Sequence, residues 1–124
     1  EVTKVVGISA ISAVRTKLEH GLDALQKGAY HALLRTLALD LTPEKIYVTE
    51  VMPGITDTAL YDAPDVFESI VRASRAFGYE YDRNTFPVFS AERVGEMVRF
   101  ALKFPGHVRE VSAMPCGQYP HLGA

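Results

Sequence analysis

The sequence predicts an α/β fold in which three parallel strands carry helices against their faces. Three observations predict it. Short β-branched runs alternate with longer segments whose apolar residues recur every 3.6 positions. The order along the chain reads β-α-β-α-α-β. The segments between strands are long enough for helical crossovers, which parallel pairing requires.

The first strand is predicted over residues 4–8, in "TKVVGIS", a β-branched run that ends in small residues. Residues 12–21 are mixed and end in a glycine, so they read as loop or as an early helical extension. A helix follows over residues 22–41. Leu22, Leu25, Ala29, Ala32, Leu33, Leu37 and Leu41 mark one stripe. Ala24, Leu34, Ala38 and Leu39 add apolar groups elsewhere, so more than one side is expected to be covered. Pro43 stops the helix, because proline has no amide hydrogen and clashes with the preceding turn.

The second strand is predicted over residues 46–52, with Pro53 ending it and Gly54 permitting a sharp turn. Asp62-Ala63-Pro64 opens the next helix, where Pro64 suits the first turn and Asp62 or Asp65 can serve its free amides. Phe67, Ile70, Val71, Ser74 and Phe77 form its face, and Gly78 ends it. Residues 79–89 have no period and many aromatics, which predicts an ordered loop. Ser90 caps the third helix, whose Val94, Met97, Val98, Ala101 and Leu102 keep helical spacing up to Pro105-Gly106. "HVREVSAMP" is the last strand.

Composition narrows the function classes. At 124 residues the chain suits one domain. A net charge of -2 with 23% charged residues gives no footing for nucleic acid or an anionic membrane surface. No apolar run approaches the ~20 residues of a membrane span. The single cysteine, Cys116, excludes an intrachain disulfide and fits a reducing compartment, so a cytoplasmic location is expected. His20, His31, His107 and His121 are scattered without ligand spacing, so no metal site is predicted. No glycine-rich phosphate loop of either common pattern occurs. Three strands are few for a parallel sheet, and nothing precedes the first strand to cover its outer edge. The chain therefore reads as part of a larger α/β domain.

"KVVGISAISA", "KGAYHALLRTLALDL", "KIYVTEVMPGITDT" and "SAERVGEMVRFALKFPGHVREVSAMPCGQ" resemble, in that order, the C-terminal half of short-chain dehydrogenases/reductases. The resemblance covers roughly residues 4–58 and 90–118. It implies a Rossmann-like, doubly wound sheet, with residues 1–124 as its C-terminal portion and the nucleotide-binding half elsewhere. It also implies an NAD- or NADP-dependent oxidoreductase moving hydride between carbonyl and alcohol, and a homo-oligomer built on the long helix.

In that family a Ser, a Tyr and a Lys work together. The Tyr lies four residues before the Lys, so that both project from one helix face. The resemblance places the Lys on Lys27 and the Tyr on Asp23. Aspartate is ordinarily ionised at neutral pH and has no proton to give. Tyr30, the nearest tyrosine, is followed at i+4 by Leu34, so a shift of register does not restore the pair. The family's serine falls on Ala10, and Ser9 or Ser12 can substitute for it. The catalytic candidates are thus Lys27, Asp23 and Ser9, in a degenerate set. Two other readings stand beside this one. Asp23 and Lys27 match an ordinary i, i+4 ion pair worth ~0.3–0.5 kcal/mol, and a desolvated Asp23 could act as acid or base.

The Pro-Gly turn keeps more of the family pattern. The resemblance implies cofactor contacts from Lys27, Pro53, Gly54, Thr56 and Thr58, with backbone near Thr56 and the Thr58 hydroxyl on the nicotinamide carboxamide. Asp57 reads as a plain loop acid. Residues 59–89 correspond to the substrate lid. Their aromatics, Tyr61, Phe67, Phe77, Tyr79, Tyr81, Phe86 and Phe89, either wall a pocket or simply pack. The expected partners are the nucleotide-binding half or a second chain. A non-catalytic binding or assembly protein on the same scaffold is the alternative to an enzyme.

Overall fold

A computed structural model of the chain describes residues 1–15 and 20–118. Strands β1 (Thr3–Ile8), β2 (Ile46–Pro53) and β3 (Glu110–Ala113) form one parallel sheet in the order β1-β2-β3. Val5 pairs with Val48 and Glu50 with Glu110, so β2 has a neighbour on each edge. Residues 48–53 of β2 are accordingly buried without a break, although they include Thr49 and Glu50. β3 is shorter than the sequence suggests. Before it, His107 packs its ring on Tyr47 and donates to the Val48 carbonyl at 2.8 Å.

Helix α1 (Gly21–Asp40) crosses one face of the sheet. It can approach β1 closely because Gly7 has no side chain. A Cβ there would lie 2.6 Å from a Leu34 methyl and 2.9 Å from the Tyr30 hydroxyl. Helix α3 (Ala91–Lys103) lies on the other face, reached by the side chains of opposite parity along β1. Lys4 donates there to the carbonyls of Leu102 (3.2 Å) and Phe104 (2.5 Å) at the helix end, where cations are favoured. Helix α2 (Pro64–Arg75) buries Ile70, Ala73 and Ser74.

The helices sit where the sequence places them, but two details differ. The inner face of α1 is not the leucine stripe. Leu34, Ala38 and Val48 form its core, with Tyr30, Leu37 and Leu41 around them. Leu22, Leu25, Leu33 and Leu39 are exposed, Leu22 at 79%. A helix alone cannot specify which of two apolar faces meets the sheet; the notch at Gly7 selects the face carrying Leu34. The expected caps are also unmade. Ala63 and Ser90 occupy the N-cap positions of α2 and α3, and neither helix has a side-chain cap bond. As expected, β1 is an edge strand, with Val5 and Ile8 nearly half exposed. No helix among the described residues is long and apolar enough to cross a membrane.

Candidate functional site

The C-terminal ends of β1 and β2 open into a cleft of about 860 Å3. Open parallel sheets bind ligands at this end, because the loops diverge there and strand-end groups face the gap. The β1 end brings Ile8, Ser9 and Ala10 to it, and the 3-10 turn Ile11–Ala13 adds Ile11 and Ser12. The first turns of α1 add Asp23 and Lys27, and the β2 turn adds Pro53, Gly54, Ile55, Thr56 and Thr58. Leu60, Tyr61, Val66, Ser69 and Ile70 close the far side. All seven candidate residues from the sequence, Ser9, Asp23, Lys27, Pro53, Gly54, Thr56 and Thr58, therefore line one cavity.

Their individual states differ from the expectations. Asp23 and Lys27 share a helix face, but no ion pair between them forms among the described residues. The carboxylate acts instead on Tyr61. Burial, and then the negative charge of Asp23, hold the Tyr61 phenol above its ordinary pKa of 10.0. It stays protonated at neutral pH. Of the seven aromatics named in residues 59–89, Tyr61 alone lines the cleft. Four of the others pack on one another: Phe67 meets Phe86 edge-on, Phe86 meets Tyr81, and Tyr81 stacks on Tyr79. Arg83 lies over Phe67, 5.7 Å from the ring centre.

Ser9 and Ser12 have opposite fates. The Ser9 hydroxyl donates to Glu50 Oε1 at 2.5 Å, while His31 Nδ1 donates to Glu50 Oε2 at 2.5 Å. A carboxylate only accepts, so the proton of that imidazole bond sits on Nδ1. Glu50 is 2% exposed, and these two donors satisfy a group that would otherwise be costly to bury. Ser9 thus faces the cleft with its hydrogen already committed. Ser12 Oγ is buried in the cleft wall with no hydrogen-bond partner among the described residues. Buried hydroxyls are rarely left so.

No sequence signal links Glu50 and His31 as a pair. They are nineteen positions apart on different elements, and a charged residue within a buried strand is the single clue. His31, Glu50 and Glu110 each bring one metal-ligating atom within 4.8 Å of the others. Both Glu50 oxygens are already held by Ser9 and His31, and Glu110 lies 3.8 Å from Arg35. The cluster is a hydrogen-bonded one. His121 and the rest of the tail, residues 119–124, lie outside the described residues, as does the segment 16–19 before α1.

Comparison of the sequence with family models and with curated proteins gives no match. Comparison of the structure does. A short-chain dehydrogenase from Streptomyces avermitilis superposes with a TM-score of 0.61 over 89% of this chain, at 18% identity. The fold is that of a short-chain dehydrogenase. The chain spans 42% of that protein's length. In this short-chain-dehydrogenase fold, the cleft lies at the strand ends where doubly wound sheets take ligands.

Proposed function

We propose that the cleft receives the nicotinamide end of NADP or NAD, and that the chain is the C-terminal portion of a short-chain oxidoreductase-like protein with a degenerate catalytic set. The observation that supports this most is the convergence of Ser9, Asp23, Lys27, Pro53, Gly54, Thr56 and Thr58 on one cavity at the strand ends. The residues present suit that end of the cofactor. Lys27 offers a cation and Thr58 a hydroxyl. No glycine-rich loop for the diphosphate occurs in these residues, so that contact belongs to a nucleotide-binding segment outside them or on a second chain. When bound, the nicotinamide would supply hydride chemistry at a carbonyl or alcohol carbon.

The proton side of such a reaction is weakened. Ala10 has no hydroxyl, Ser9 is committed to Glu50, and Asp23 stands where the family resemblance expects a phenol. Tyr61 is the phenol lining the cleft, but its burial, and then the charge of Asp23, oppose phenolate formation. These features support the second reading, a binding or assembly protein that keeps the cleft without efficient turnover. In either case residues 59–89 act as the lid over the cleft, and the outer leucine face of α1 meets a second copy.

The experiment is titration of NADPH and NADH into the intact protein, with and without carbonyl substrates. Saturable binding that Lys27→Ala weakens supports the cofactor reading, and its absence sinks it. Turnover separates the oxidoreductase from the binding protein. If lost proton chemistry is the cause of low activity, Asp23→Tyr with Ala10→Ser restores weak carbonyl reduction. No gain despite proven binding means the pocket has changed beyond those positions.

A further inference from the structure

The wall of the cleft formed by the β2 turn is held from behind by the chain's C-terminal region. After β3, residues 115–118 make a tight turn, with the Gln118 amide donating to the Pro115 carbonyl at 3.1 Å and Gly117 at a φ of +89°. This turn delivers the Gln118 side chain, 8% exposed, beneath Gly54. Its Oε1 accepts the Ile55 amide hydrogen at 3.0 Å. The fit is close: a Cβ on Gly54 would lie 2.5 Å from that oxygen and 2.9 Å from Pro115 Cδ. Glycine at position 54 is therefore required by the approach of Gln118 as well as by the turn.

The same short segment also touches the lid. Tyr81 donates its hydroxyl hydrogen to the Gly117 carbonyl at 2.6 Å. From the other direction the lid reaches the cleft wall directly. The Phe89 amide donates to the Ile55 carbonyl at 2.8 Å, and the Asp57 amide to the Phe89 carbonyl at 2.7 Å. Ile55 is thus gripped on both sides, its N–H by Gln118 and its C=O by Phe89. We infer that Gln118 is a positioning residue: it sets where the Pro53–Gly54–Ile55–Thr56 backbone stands in the cleft and links that wall to the lid. A buried backbone amide that loses its acceptor must find another or move toward water, and here a shift moves the cleft lining.

The test uses the intact protein and two variants of matched size. Gln118→Met removes the acceptor, and Gln118→Glu keeps a carbonyl-like oxygen in the same place. Amide exchange is followed by NMR at Ile55, Phe89 and, as a distant control, Val48. In Gln118→Met the Ile55 and Phe89 amides should exchange roughly five- to tenfold faster while Val48 is unchanged. Gln118→Glu should restore slow exchange. Equal exchange at Ile55 in wild type and Gln118→Met overturns the inference. So does acceleration at Ile55 without any at Phe89, because the wall and lid are then not linked. Equal acceleration at Val48 also overturns it, because the residue is then merely structural. A second arm rests on the nicotinamide reading: NADPH affinity should fall in Gln118→Met and recover in Gln118→Glu. Failure of wild type to bind NADPH rejects that reading and leaves the exchange result to decide the role of Gln118.

Discussion

The two faces of α1 reverse the usual arrangement of a surface helix. The inner face carries Lys27, Tyr30 and His31 together with Leu34 and Ala38. The outer face carries Leu22, Leu25, Leu33 and Leu39 in water. Polar groups lie inside because the sheet offers them partners: Glu50 takes His31, and the cleft takes Lys27 and Asp23. Leucines lie outside with nothing in the described residues to cover them. The difference teaches that burial on this helix follows shape and hydrogen-bonding partners, and that hydrophobicity marks a surface still to be covered.

The largest effect expected from breaking the comparison is at Glu50. Glu50→Ala removes the acceptor of two buried donors and should cost about 3–5 kcal/mol, as should His31→Ala if it strands the carboxylate. Urea unfolding midpoints measure both. A loss near zero in each would mean that water replaces the network and that the inner face is not closed. Next comes Leu34→Ala, which opens a cavity over Gly7 and should cost about 2–4 kcal/mol. This leucine packs on the sheet, so its replacement does not probe assembly.

The outer face should respond differently. Leu25→Ala and Leu33→Ala should change the unfolding free energy of a monomer by less than about 0.5 kcal/mol each. If a second copy covers this face, Leu33→Glu should convert the oligomer to monomer in light scattering at micromolar concentration. A wild-type monomer at that concentration would remove the reason for the leucine stripe. Smaller still is the coupling of Asp23 to Tyr61. The raised Tyr61 pKa means folding favours the protonated phenol. Its stabilising contribution is present below about pH 10 and is lost as pH rises through the folded-state value. Asp23→Asn should lower the Tyr61 pKa in an ultraviolet titration but leave it above the ordinary value, because burial is the larger cause. A drop to the ordinary value would reverse that ranking.

Sequence by itself determined the kind and order of the elements. Strand composition, the 3.6-residue periods and the Pro-Gly stops act over a few residues, and local chemistry is what a linear sequence displays. The parallel sheet of β1, β2 and β3 and a helix predicted over residues 22–41, observed at Gly21–Asp40, follow from those signals. Lys27 and the Pro-Gly turn are named only through the resemblance to a known family, and they line the cleft. Tertiary structure alone decided which face of α1 turned inward, since Gly7 is fourteen positions away from the helix it admits. It also decided that Ser9 is committed, because its partner Glu50 lies forty-one residues away. The Asp23 and Lys27 spacing allows an ion pair, yet the charge of Asp23 is felt, after burial, by Tyr61, thirty-eight residues on. Gln118 reached Ile55 in the same way, across sixty-three residues. Each of these contacts joins elements remote in sequence, and its energy depends on a geometry that exists only once the sheet has assembled.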